Sequence, residues 1–179
     1  MMRLFTTGFA IAIAFFGCGD SGKTATKNNN SLAQIDSLET TYFGNGDTKG
    51  NPKTAMALIR GYAHFYQTNK GDSLATDMLF KAAEVSMGIG QGNLAVKYFR
   101  LIYEDHAQFD KAPEALFLCG FVSENLNADT SDARFYYEKF VKQYPTHHLA
   151  ADAQFSVLNL GKSDEDLIEM FEKKLKSEN

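Results

Sequence analysis

The stretch that decides the fold occurs three times, as LATDMLFKAAEV at residues 74–85, KAPEALFLCGFV at 111–122 and LAADAQFSVLNL at 149–160. Each copy has Ala in its second place, an acidic residue in its fourth and Phe in its seventh. The copies begin 37 and then 38 residues apart. A period in this range is typical of stacked supersecondary units, because one unit cannot bury its own apolar face. The sequence therefore predicts a helical repeat protein.

Aromatic residues extend the same period into the segments between these copies. Identical placement in successive copies is expected of core residues, and it argues against a pocket for a small ligand. Small residues such as Ala95 and Ala133 would let neighbouring helices approach closely while the rings fill the space between them. The aromatic pairs, each separated by 18 residues, are Tyr62/Phe80, Phe99/Phe117 and Tyr137/Phe155.

Turn and capping residues divide the chain after Pro52 into helices. Gly and Pro stand between apolar segments of helical spacing, and Ser163 with Asp166 forms a capping box. No segment alternates polar and apolar residues with period two, so we expect an all-α fold without a sheet. The predicted helices lie near 53–69, 73–88, 93–106, 112–127, 131–144, 148–160 and 164–176.

The repeated segments resemble the tetratricopeptide repeat (TPR) family. The resemblance rests on the helix pair, on Gly120 in a first helix, and on the spacing of Ala133, Tyr137 and Pro145 in a second helix. The turn sequence KQYPTHHLAADAQF, at 142–155, is most similar to envelope lipoproteins that carry such repeats. These include the lipoprotein of the outer-membrane β-barrel assembly machine and the TPR protein associated with the Tol-Pal system.

This resemblance implies a TPR-like helical repeat domain over residues 53–179. In that family, antiparallel helix hairpins stack into a right-handed solenoid, and the first helices of the hairpins line a groove that binds a partner protein. Two features depart from the family pattern, since Ala107 stands where a Pro is expected and the chain has no Trp. The groove residues implied for this chain are Glu84, Met87, Phe121, Glu124, Asn125 and Asn159.

The N terminus has the pattern of a bacterial lipoprotein leader. In MMRLFTTGFAIAIAFFGC, a positive charge at Arg3 precedes an apolar run that ends at Phe16. The run is shorter than the roughly 20 apolar residues of a membrane span. Its ending resembles a lipobox, which implies cleavage before Cys18 and acylation of that residue. We therefore predict a signal peptide over 1–17, with an uncleaved anchor and an ordinary Cys18 as the alternative.

Two further segments connect this leader to the repeats. Residues 18–30 are rich in Gly, Ser, Thr, Lys and Asn, a composition that predicts a flexible tether. Residues 31–52 comprise a short amphipathic helix and a glycine-rich loop. Since only Asp20 is acidic just after Cys18, we predict that the chain faces the periplasm from the bacterial outer membrane.

Composition and motifs favour no catalytic function. The net charge is −4, and Lys and Arg are scattered along the chain, so we expect no nucleic-acid partner. Gly17, Gly22, Lys23 and Thr24 match a P-loop pattern, but no apolar-faced helix follows, and a nucleotide-binding protein stays a remote alternative.

The remaining candidates for chemistry have simpler interpretations. His147 and His148 are adjacent, and no partner stands at metal-ligand spacing in the sequence, so a solvated turn is favoured and no metal site is predicted. Cys119 lies in an apolar segment and is expected to be a buried core thiol. Gly88, Gly90 and Gly92 fall between two helices of one hairpin and are interpreted as turn residues rather than a phosphate loop.

These observations predict a non-enzymatic, lipid-anchored scaffold without a cofactor, which binds an envelope protein through its groove. The alternative, from another functional class, is a structural envelope component that self-associates.

Overall fold

A computed structural model of the chain describes residues 21–44 and 51–177, and all regular secondary structure within these ranges is helical. An all-α fold is therefore confirmed for the described residues. The helices are α1 (Ser21–Phe43), α2 (Pro52–Thr68), α3 (Ser73–Gly88), α4 (Gly92–Asp105), α5 (Ala112–Asn125), α6 (Thr130–Gln143), α7 (Ala150–Asn159) and α8 (Asp164–Ser177).

The bounds of α2 to α8 agree with the predicted helices to within two residues at each end. Local capping explains part of this agreement. The side chain of Asn51 accepts a hydrogen bond from the Lys53 N–H, and that of Asp72 accepts one from Leu74. At the start of α8, Asp166 and Ser163 exchange hydrogen bonds as a capping box.

Helix α1 is longer than the sequence predicts. In its second half the apolar side chains face the core, since Ile35 is 1% exposed and Leu32, Leu38 and Tyr42 pack against the core. However, the backbone is already helical from Ser21, where we expected a flexible tether over 18–30. Once packing has nucleated a helix, each further residue that becomes helical gains one backbone hydrogen bond. The helix can therefore extend through a polar sequence.

The core runs continuously along the chain from Ile35 to Ala153. Each helix packs against the next one in chain order, from α1 through α7. Buried alanines and aromatic rings are both present along this core. Phe99, Ile102 and Phe140 are completely buried.

Aromatic contacts lie within the helix pairs α3–α4 and α5–α6. The ring centroids of Phe80 and Phe99 are 5.4 Å apart, and those of Phe117 and Tyr137 are 5.5 Å apart. The third copy differs, because Phe155 is 49% exposed. The prediction that Phe155 is a core residue is therefore wrong. The reason lies in the following helix, since the described part of α8 packs far less closely on α7 than the preceding helices pack on one another.

The turns after α4 and α6 have one backbone conformation despite different sequences. The C-cap residue that follows each helix is His106 (φ −128°, ψ 49°) for α4 and Tyr144 (φ −129°, ψ 56°) for α6. In both turns the N–H three residues later donates to the carbonyl of this residue. The turn therefore forms equally with Ala107 and with Pro145.

None of the helices in the described ranges combines the length and apolar character that a membrane span requires. The predicted signal peptide over 1–17 and the predicted acylation site Cys18 lie outside the described residues.

Candidate functional site

An open cleft of about 570 Å³ lies between α1 and α3, above a tyrosine of α2. It forms because α1 and α3 both pack on α2 and leave a hollow between them. Polar, charged and aromatic side chains share its surface. The lining residues are Glu39, Tyr42, Phe43, Tyr62, Lys81, Glu84, Val85 and Gly88.

One side of this α1–α3 cleft is a closed polar cluster. The hydroxyl of Tyr62 donates a hydrogen bond to the Glu39 carboxylate, and Lys81 Nζ lies 2.8 Å from the same oxygen. Burial acts to raise the pKa of Glu39, but the bonds from Lys81 and Tyr62 outweigh it and hold the pKa below the ordinary value of 4.5. Glu39 is therefore ionised, and the charge of Lys81 balances its negative charge.

The other acidic group of the cleft is Glu84. Partial burial raises the pKa of Glu84 above its ordinary value of 4.5, although Lys111 and Lys81 act in the opposite direction. Within the described part of the chain, no cation lies within 4.0 Å of the Glu84 carboxylate. The neighbouring ring of Phe43 is 63% exposed. The cleft thus presents a carboxylate beside an aromatic surface.

The structure separates the predicted groove residues into different places. Glu84 lines the α1–α3 cleft, whereas Met87, one turn later on α3, is half-buried against the core. Phe121 and Glu124 lie on α5, outside the cleft lining. Phe121 is 40% exposed, and the Glu124 carboxylate accepts a hydrogen bond of 2.9 Å from the Tyr137 hydroxyl.

The two predicted asparagines bind their own helices. Asn125 Nδ2 donates to the Phe121 carbonyl at 2.9 Å, and Asn159 Nδ2 donates to the Phe155 carbonyl at 2.8 Å. Lys162 also donates to the side-chain oxygen of Asn159 at 3.0 Å. These amides therefore help to end α5 and α7, which is a local role that the repeat alignment did not predict.

Sequence reasoning missed most of the residues that line the cleft. The resemblance covers the chain from residue 53 onward, so it gave no groove residue on α1. A signal was present, since Glu39, Tyr42 and Phe43 are spaced three and four residues apart on one helical face. Lys81 and Glu84 have the same relation on α3.

A second cluster of polar groups joins the start of α5 to the turn before α7. Glu114 Oε1 lies 3.5 Å from His147 Nε2, and the ring centroids of His147 and His148 are 4.2 Å apart. One ligand atom from each of the three residues lies within 4.8 Å of the others. The predicted turn location is confirmed. Glu114 adds a carboxylate from a different helix, which spacing in the sequence does not reveal.

The other candidates have structural roles. Cys119 is completely buried, and burial raises the pKa of its thiol, so the reactive thiolate is disfavoured. Gly90 has φ +74°, which confirms a left-handed turn residue. Of the residues that match the P-loop pattern, Gly22 to Thr24 lie inside α1, and Gly17 lies outside the described residues.

No protein-family model matches the chain, and no curated protein matches it either.

Proposed function

We propose that this chain is a non-enzymatic adaptor of the bacterial cell envelope, which binds another protein in the α1–α3 cleft of a TPR-like helical scaffold. The observation that carries the proposal is the pairing of the Glu84 carboxylate, which has no close cation among the described residues, with the exposed ring of Phe43. In this proposal the helix hairpins stack as in the TPR family, and the groove begins at α1.

The chemistry of the cleft defines the kind of segment that it would bind. A Lys or Arg of the partner would pair with the exposed Glu84 carboxylate at the rim of the cleft. An apolar side chain next to that cation would pack on the aromatic rings of Tyr42 and Phe43. The proposed partner segment therefore combines a basic residue with an apolar anchor.

In-cell photo-crosslinking tests this adaptor role. A photoreactive residue at Phe43 should capture one specific envelope protein, identified by mass spectrometry. Glu84→Lys should reduce that capture at least tenfold by charge repulsion, whereas Glu104→Lys on α4, outside the cleft lining, should not. Unchanged capture with Glu84→Lys, or no specific product, would contradict the proposed site.

The same proposal places a lipid anchor at Cys18, on the basis of the leader sequence. Two or more acyl chains give stable membrane attachment, whereas one chain gives only marginal binding. The wild-type chain should sediment with outer-membrane vesicles, and Cys18→Ser should remain in the soluble fraction. Protease added to intact cells should leave the repeats undigested if they face the periplasm.

A second candidate function is a self-associating envelope component. It is favoured by the apolar surface at the C-terminal end, where Leu158 is 72% and Ile168 is 59% exposed. A shallow hollow of about 380 Å³ between α6 and α7 adjoins Leu158. Light scattering distinguishes the candidates, because an oligomer that dissociates in Leu158→Asp supports self-association, and a monomer that captures another protein supports the adaptor.

A further inference from the structure

We propose that Glu114, His147 and His148 form a binding site for a divalent transition-metal ion, and that Zn²⁺ matches their ligand atoms best. The three ligand atoms lie within 4.8 Å of one another, and His147 Nε2 is 3.5 Å from Glu114 Oε1. In a tetrahedral zinc site, with bonds of about 2.0–2.1 Å, adjacent ligand atoms are separated by roughly 3.4 Å. The His147–Glu114 pair already has this separation.

The ligand types select among metals. Two imidazoles with one carboxylate suit zinc and neighbouring transition metals, whereas calcium and magnesium prefer sets of oxygen ligands. Three protein ligands leave a fourth position for water. His148 is exposed, so solvent reaches the cluster and its side chain has room to turn toward a shared ion.

A second observation at Glu114 points to a cation. Its Oε2 atom is buried, and it has no hydrogen-bond partner among the described residues. A buried acceptor without a partner destabilises a fold, and it is a known sign of an ion or water that belongs to the site. A metal that is held by both carboxylate oxygens would compensate for the missing hydrogen bond at Oε2.

The repeat provides an internal comparison, because the turn after α4 shows whether this kind of turn needs histidine residues in order to form. In the turn after α4, which has the same backbone conformation, Phe109 and Asp110 occupy the places of His147 and His148. The residue in the place of Glu114 is Asp77, which pairs with Lys111 at 3.9 Å. The fold therefore forms this turn without histidine, so turn formation alone does not explain the pair.

Metal binding requires a change of tautomer in the His147 ring. Its Nδ1 accepts a hydrogen bond from the Leu149 N–H at 3.3 Å, so in the neutral ring the proton resides on Nε2. Binding of the ion at Nε2 moves this proton to Nδ1 and breaks that contact. The contact is already longer than the usual 2.7–3.2 Å, so it opposes the change only weakly.

Titration with Zn²⁺ and with Co²⁺ tests the site in the full chain, purified without a polyhistidine tag. We expect one ion per chain by calorimetry, a visible spectrum of tetrahedral Co²⁺, and a melting temperature that rises with zinc. Glu114→Gln, His148→Ala and His147→Phe should each weaken binding at least tenfold. The last variant imitates Phe109, so it retains an aromatic ring for packing.

Matched controls make either outcome decisive. Asp77→Asn and His106→Ala change a carboxylate and a histidine at the other turn, and they should leave zinc affinity unchanged. Circular dichroism verifies that each variant is folded. Absence of stoichiometric binding, or wild-type affinity in folded Glu114→Gln and His148→Ala, would overturn the proposal.

Discussion

Gly120 determines how closely α5 and α6 approach each other. A β-carbon built at this position would lie 2.8 Å from Cδ1 and Cε1 of Tyr137, closer than real β-carbon contacts. Tyr137 is 1% exposed, and its hydroxyl is held by Glu124, so the ring has no free space into which it could move. Contact with the Tyr137 ring therefore explains why glycine occupies position 120, which is one of the residues that carry the family resemblance.

We therefore expect Gly120→Ala to destabilise the protein by about 1–3 kcal/mol, because overpacking outweighs the better helix propensity of Ala. The control is Gly88→Ala, at the end of α3, where no atom lies within 4 Å of the new methyl group. That change should be neutral or stabilise by up to about 1 kcal/mol. Urea unfolding measures both, and equal stability of Gly120→Ala and wild type would contradict the steric role.

Glu39 should give stability that depends on pH in the acidic range. Its pKa in the folded protein is below 4.5, so its ionised form favours folding above that value, and the contribution is lost as the pH falls through the folded pKa. Glu39→Gln should therefore be less stable than wild type at about pH 7, and the difference should shrink at about pH 3.

The control for this pH effect is Glu138→Gln, which removes an exposed pair at 3.9 Å from Arg134. Exposed pairs of this kind contribute about 0–1 kcal/mol, so its unfolding curve should follow that of wild type at both pH values. A difference between Glu39→Gln and wild type that stays constant with pH would exclude the assigned role of the Lys81 and Tyr62 bonds.

At the scale of the helices, equivalent positions in the repeat have unequal energetic roles. Phe80 is 5% exposed and packs on Phe99, whereas Phe155 is 49% exposed. We expect Phe80→Ala to cost about 3–5 kcal/mol and Phe155→Ala about 1 kcal/mol or less. Thermal unfolding of the two variants measures this, and similar losses would show that α8 covers Phe155 in solution.

Helix α8 should be nearly dispensable for the stability of the rest. Its start is capped locally by Ser163 and Asp166, and its described apolar residues, Ile168 among them, are largely exposed. A chain that ends at Lys162 should unfold within about 1 kcal/mol of wild type, since few buried contacts are removed. Loss of the cooperative transition on this truncation would mean that α8 completes the core.

Helix positions were predictable from the sequence because caps and turns are local. Asn51, Asp72 and the Ser163 capping box act within a few residues, so their effect is visible in the chain itself. The extent of α1 was not predictable, because packing of its second half overrides the weak local preference of residues 21–30. Likewise, the exposure of Phe155 depends on how α8 packs, which the repeat pattern does not contain.

The candidate sites were harder to predict, because each is built from residues far apart in sequence. Glu84 was expected at a groove only because of the family resemblance, and Glu39 and Lys81 meet across 42 residues of chain. Glu114 lies on α5 and His147 lies in the turn after α6, and adjacent histidines alone gave no indication of a carboxylate partner. Spacing rules apply within one helix, so they cannot assemble such clusters.

Viewed as a whole, the molecule has one uninterrupted core, which reaches from Ile35 on α1 to Ala153 on α7. We therefore expect a single cooperative unfolding transition rather than separate melting of its ends. Ile35→Val near one end and Phe140→Leu near the other should each shift the entire transition, whether it is followed by helical or by aromatic circular dichroism. Two resolved transitions in either variant would show that the ends unfold independently.

The turns at Ala107 and Pro145 have one further consequence. Because both reach the same backbone conformation, the proline ring introduces no native contact that the turn requires. The rigid ring instead restricts the conformational freedom of the denatured ensemble. This typically raises the free energy of unfolding by about 0.4–1 kcal/mol. A comparison of native contacts alone would therefore assign Pro145 no stabilising role at all.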